Sequence, residues 1–297
     1  MRTQQIILVG LFLGIFGIVW GIVLALETQG PKKRVAIVDF ENKTAYGQEK
    51  LGRAASDILT TELVKAKRFI VVEREALDKL LEEQKLGLSG VLDETTAAKT
   101  GRVLGAQAIV TGSISEFGEA KKESKHLFKK KVTLVECAAD VRVVDTTTGE
   151  IVYADSGVGQ VEVESKHFLS GRAGYDETLA GKCLRAALTQ VINNVIGQME
   201  TLTWRGRVAA IREGMLYINA GEKAGLIKGI VLQVRGKGEA IIDPDTGLEM
   251  GEAIGPQKAV AEVTEYCGKD CAMAKIKDGG QAQVGDVVTV MEGDKDE

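Results

Sequence analysis

Aromatic residues make up only 5% of this 297-residue chain, with three prolines, four cysteines and two histidines. So few aromatics argue against an outer-membrane barrel, which needs aromatic girdles at both interfaces. Positive charge is not in excess either: 38 Lys and Arg stand against 42 Asp and Glu, a net charge of −4. A protein built to grip phosphate backbone needs the opposite balance, so no nucleic-acid partner is expected. The first cysteine is Cys137, which leaves no Cys near the start for lipid attachment. What is present is a folding composition, 44% hydrophobic and 27% charged, with 35 glycines for tight turns. The length fits two domains of about 150 residues each.

One long apolar run stands apart. Residues 6–26 are all apolar or Gly. As a helix this run spans about 30 Å, the hydrocarbon thickness of a bilayer. It predicts membrane contact through residues 6–26, as an anchor within residues 1–28. The alternative is a signal peptide cleaved after Val23-Leu24-Ala25. Gly10, Gly14, Gly17 and Gly21 share one helical face and would let two such helices pack closely; the plainer reading is that Gly is tolerated in membrane helices. Lys32, Lys33 and Arg34 follow the run, which by charge alone weakly favours a cytoplasmic body.

Residues 32–201 alternate between two periods. RVAIVDF (34–40) and FIVVE (69–73) read as strands, and Leu51, Ala55, Ile58, Leu59 and Leu63 as a helical stripe between them. Ala76, Leu77, Leu80 and Leu81 stripe a second helix, and Asp93 starts a third that runs through Leu104. A strand over 108–117 follows. Then comes a hairpin of 132–145 and 151–163 about Thr146–Gly149, and a long helix over 179–199. This predicts a mixed-sheet α/β domain. Within 203–292 the helical period disappears. Seven short runs (206–211, 215–219, 230–235, 239–242, 259–266, 272–277 and 287–291) predict a small all-β, barrel-like domain. The expected fold class is α/β: an N-terminal transmembrane helix, a mixed-sheet domain, then the small barrel.

Candidate chemistry is sparse. His126 and His167 are too few to hold zinc, so no metal and no cofactor are expected. Cys137 and Cys183 lie on apolar faces, as core thiols or as a bonded pair. Cys267 and Cys271 flank GKD at a hairpin end, either a disulfide in an exported body or two reduced surface thiols. Asp145–Gly149 and Asp243–Gly247 both read D-x-x-T-G, a turn rather than a calcium loop. Gly87–Gly90 lacks the lysine of a phosphate cradle. No nucleophile stands beside a base, so the chain is not expected to be an enzyme.

RVAIVDFEN (34–42), LGRAASDILTTELVKAKRFIVVEREALDKLLEEQ (51–84), LGAQAIVTGSISEFG (104–118) and VRVVDTTTGEIV (141–152) together resemble the CsgG family of envelope proteins. LYINAGEKAGLIKG (216–229), DPDTGLEMG (243–251) and VGDVV (284–288) are similar to the last domain of the flagellar protein FlgT. The resemblance implies a non-catalytic assembly or secretion component of the cell envelope, its body facing the periplasm. It would act as a self-associating scaffold, a homo-oligomer with an unidentified envelope protein as partner. The alternative is a monomeric regulator that activates a peptidoglycan-synthesising enzyme by surface contact, as LpoB does.

CsgG builds a pore from two membrane hairpins per subunit, and the equivalent segments here are 118–131 and 157–175. Residues 121–131 hold six lysines and no lipid-facing alternation, so no pore is expected. ESKHLF (123–128) recurs as ESKHFL (164–169). Lys121, Lys122, Lys125, Leu127, Phe128, Lys129, Lys166, Phe168 and Leu169 would form a rim for an anionic membrane surface or a partner. Otherwise these are two solvated hairpin tips.

Overall fold

The computed structural model describes residues 30–291, except 74, 78, 80–93, 124–130, 165–176, 243 and 245–248. A strand buried on both faces reads as a continuous apolar run, and β1 (Lys33–Ile37) is one. Its Val35 and Ile37 face one core, while Ala36, with Val38 just beyond the strand, faces another. β2 (Glu41–Asn42) follows β1 in sequence, whereas in space β1 lies between two parallel neighbours, β3 (Phe69–Val71) and β4 (Ala108–Glu123). Parallel neighbours need crossovers. Helix α1 (Gln48–Ala66) makes the first, and α2 (Glu94–Leu104) belongs to the second.

β5 (Lys131–Asp145) and β6 (Ile151–Glu164) continue the sheet antiparallel, in the order β3-β1-β4-β5-β6, with β2 paired to β4. Their hairpin turns where D-x-x-T-G predicts. Asp145 Oδ1 accepts the Thr147 N–H at 2.7 Å, and Gly149 takes φ +80°, a conformation Gly adopts without steric penalty.

Helix α3 (Glu177–Thr201) lays Leu184, Leu188, Val191 and Met199 on this sheet beside Leu51, Leu59 and Leu63 of α1. Burying each of these side chains contributes roughly 1.5–3 kcal/mol. Its depth on β6 is set by two glycines. A Cβ at Gly157 would stand 2.0 Å from the Ala187 carbonyl oxygen, and one at Gly159 equally close to that of Cys183.

Beyond α3 the strands are β7 (Gly206–Arg212), β8 (Met215–Ile218), β9 (Val231–Arg235), β10 (Ala240–Ile242), β11 (Glu249–Glu252), β12 (Gln257–Gly268), β13 (Cys271–Gly279) and β14 (Val287–Val290). Six of them close a barrel in the order β12-β13-β8-β7-β14-β9. Six strands leave a narrow interior, and Ala259, Ala261, Ala272 and Ala274 fill it together with Leu216, Ile218 and Leu232. Among the described residues β10 and β11 pair only with each other, outside the barrel. The expected run 239–242 is thus a ribbon, because β9 already pairs directly with β12.

The expected architecture needs correction at its first element. No described helix is long and apolar enough to cross a membrane; even α3 carries Lys182, Arg185 and Glu200. The N-terminal transmembrane helix is no part of the described fold. Residues 6–26, with Gly10, Gly14, Gly17 and Gly21, lie outside the described residues. So do residues 80–81 of the helix expected over 76–81, although Leu77 is buried against Ala36, Val38 and Ala97. The strand expected over 108–117 runs further, to Glu123, because its ladder with β5 continues to the pair Glu123–Lys131.

Candidate functional site

Most of the expected rim falls where no structure is described. Lys125, Leu127, Phe128, Lys129, Lys166, Phe168 and Leu169 lie outside the described residues, as do His126 and His167. Lys121 and Lys122 belong to β4 and pair with Thr133 and Val132. No group of three metal-ligating side chains occurs among the described residues.

The cysteines divide by environment. Cys267 and Cys271 are joined by a disulfide across the β12–β13 turn, with Cα atoms 5.1 Å apart. Cys137 on β5 and Cys183 on α3 are buried free thiols. Cys183 Sγ donates to the Gly159 carbonyl oxygen at 3.3 Å. The hydrogen bond with Cys183, reinforced by burial, pushes the Cys137 thiol far above its ordinary value. It stays protonated, and a protonated thiol is no nucleophile.

Among the described residues, a built-up site lies where the sheet domain meets the barrel. Trp204, three residues past α3, is buried in the barrel core, and Ile70 of β3 packs on that same core. The Lys32 N–H donates to the Ala224 carbonyl oxygen at 2.6 Å. At the foot of α3, Lys33 Nζ donates to the Glu200 carbonyl oxygen at 2.7 Å, and Arg68 pairs with the Glu200 carboxylate. Burial lowers the Lys33 pKa, opposed by the Glu200 charge and assisted by Arg68.

Gln107 is the hinge pin of this junction. Its Oε1 accepts the Arg34 N–H and its Nε2 donates to the Arg205 carbonyl oxygen, each at 2.6 Å. Its backbone N–H donates to the Arg34 carbonyl oxygen at 2.7 Å, and its own carbonyl accepts the Thr146 N–H. A buried amide with every group satisfied holds two elements in one relation.

Around Gln107 runs a crevice of about 60 Å³, walled by Gly105, Thr146, Thr147, Arg205 and Asn219. Arg207 is shared between this crevice and an open cleft of about 840 Å³ lined by Val103, Lys237, Pro256, Lys258 and Val284. Inside the cleft Lys258 Nζ meets Asp286 Oδ1 at 2.8 Å, and Asp286 Oδ2 accepts the Gln283 N–H at 2.7 Å. The walls thus offer guanidinium and ammonium groups. Such positively charged walls suit holding an anion.

Sequence reasoning passed over these residues. Arg34, Gln107, Arg207 and Lys237 are scattered along the chain, and no local period joins them. The one available signal was Arg205-Gly206-Arg207, where alternate positions of an extended run put two cations on one side.

The profile of the family described as curli production assembly/transport component CsgG matches residues 23–226. The chain belongs to the CsgG family. The match covers the whole sheet of this CsgG-family chain and runs on through β7 and β8 into the barrel. A candidate lipoprotein of Neisseria meningitidis serogroup B is 28% identical over 192 residues, which cover 60% of this chain and 82% of that one. Two solved structures are more distant. One is a lipoprotein of Neisseria meningitidis, at 16% identity and a TM-score of 0.35, covering 56% of this chain and 99% of that one. The other is the C-terminal domain of LpoB from Escherichia coli, at 16% identity and a TM-score of 0.32, covering 43% and 82%. The family and the lipoprotein relative support a protein of the cell envelope.

Proposed function

We propose that this protein is a non-catalytic assembly or secretion component of the cell envelope, a scaffold whose copies associate and recruit another envelope protein. The observation that carries this reading is the CsgG-family match over residues 23–226, from a family described by assembly and transport. The body faces the periplasm, and the Cys267–Cys271 disulfide supports that compartment because disulfides persist where the surroundings are oxidising. The barrel serves as a FlgT-like recruiting module.

The scaffold works without its own pore. A membrane hairpin needs two strands of about 9–11 residues each. Only residues 124–130 separate the paired ends of β4 and β5, and only 165–176 separate β6 from α3. The flanking lengths are committed elsewhere: Phe117, Val135 and Cys137 are buried beneath α3, and Gly157 and Gly159 lie against its backbone. These short separations support a scaffold whose twin segments do not cross and return.

Native mass measurement of the detergent-solubilised full chain tests the scaffold. A discrete oligomer that persists on dilution to about 1 μM is expected. A monomer at every concentration would overturn the reading and leave a one-to-one regulator in its place.

A further inference from the structure

We propose that the cleft beside α2 and the barrel, together with the crevice feeding it, binds an extended acidic peptide segment of a partner protein. The first support is charge. The chain carries −4 overall, yet Lys32, Arg34, Arg205, Arg207 and Lys237 all line this track. The two carboxylates on the same walls are already engaged, Asp286 with Lys258 and Asp270 with Lys223. Among the described residues, none of those five cations pairs with a carboxylate.

Shape is the second support. A small crevice of about 20 Å³ between Lys32, Arg34 and Trp204 shares Gln107 and Arg205 with the one around Gly105 and Thr147, which in turn shares Arg207 with the large cleft. The result is a track along the junction, not a closed cavity of the kind that buries a small ligand. Arg205 and Arg207 flank Gly206 and are both exposed. Alternate residues of an extended chain lie about 6.8 Å apart, the spacing of alternate acidic side chains on an extended peptide.

The third support is apolar. Val103 is 60% exposed and Val284 65% exposed, and both line the large cleft beside Pro256. An aliphatic side chain set among carboxylates would cover them, which a compact anion would not. Lys258, locked to Asp286, serves as a wall of fixed position rather than as a ligand group.

This partner chemistry deepens the scaffold reading and rests on it for the existence of a protein partner. The test is fluorescence anisotropy with the full chain and a labelled synthetic peptide of about twelve residues, Glu alternating with Val and Ser. Saturable binding is expected. It should weaken at least tenfold in the double variant R205E/R207E and on raising salt from about 50 to 300 mM, since exposed charges are screened. K182E, on the exposed side of α3, is expected to leave it unchanged, and the same peptide with Lys in place of Glu should not bind.

Equal affinity in R205E/R207E would overturn the proposal, as would the absence of saturable binding at millimolar peptide. Displacement of the peptide by equimolar pyrophosphate would also overturn it, making the track a small-anion site. If R205E/R207E fails to fold, R207Q/K237Q reads the same expectation with less change of charge. A monomeric chain that binds the peptide removes the scaffold and keeps the track; an oligomer indifferent to the peptide does the reverse.

Discussion

In the α/β body a sheet is covered by helices, and its core is made of large aliphatics such as Leu51, Leu59, Leu184 and Leu188. In the barrel the sheet covers itself, and four alanines share the interior with Leu216, Ile218 and Leu232. The body needs volume to fill the gap between layers. The barrel needs its volume restricted, because closing six strands fixes the space inside. Sulfur follows the same division: two buried thiols in the body, one bridged pair at a barrel turn. The lesson is that the two regions fail differently. The body is sensitive where backbone meets backbone, and the barrel where its turns are tied.

The sharpest way to break this comparison is Gly159→Leu. Its side chain would have to displace the α3 backbone at Cys183, an overpacking cost of about 3 kcal/mol or more. Helical circular dichroism at 222 nm should then be lost at lower urea, and the fluorescence of Trp204 in the barrel core should shift less, because the strain reaches it only through the Gln107 junction. An equal shift of both signals would show that body and barrel unfold as a single cooperative unit, and the division of roles would fall.

A smaller effect is expected from Cys267→Ser with Cys271→Ser. The bridge spans a sequence separation of only four, for which the chain-entropy argument gives about 2 kcal/mol. The Trp204 transition should move and the helical one should not; the opposite pattern would place the bridge's effect in the wrong region.

The smallest expected effect belongs to Asp140 on β5. It accepts the Ser156 hydroxyl at 2.5 Å and the Ser113 hydroxyl at 3.2 Å. Burial favours its neutral form, but hydrogen bonds from Ser156, Ser115 and Ser113 and the Lys43 charge outweigh that and hold its carboxyl below the ordinary value. A depressed folded pKa stabilises fully above the unfolded value near 3.9, and the contribution is lost as pH falls through the folded one. Asp140→Ala should cost the body at most about 1 kcal/mol at pH 7, and less once the carboxyl is protonated, because the charge-dependent part of its hydrogen bonds is then gone. A difference from wild type that does not shrink on acidification would sink this account.

Much of the fold was legible because its signals are local. The RVAIVDF run reads as a strand buried on both faces, the stripe from Leu184 to Val195 as a packed helix, and DTTTG as the turn it forms. The ribbon of β10 and β11 was not legible. Glu239–Ile242 has the same short, apolar look as the true barrel strands, and only the direct pairing of β9 with β12 excludes it. The length of β4 was missed for a related reason. Lys121 and Lys122 break the apolar alternation, but a backbone ladder continues through lysines as readily as through valines.

Residue order by itself determined the two periodicities and the turns, because each depends on neighbours within a few positions, and the family, because its motifs follow one another in order along the chain. Tertiary structure alone decided that Gly157 and Gly159 set the depth of α3, that Gln107 holds the sheet to the barrel, and that Arg34, Arg205, Arg207 and Lys237 line one track. These are contacts between residues far apart in the chain. Their energies depend on distances that only the packed layers and the closed barrel create, so no local pattern in the sequence records them.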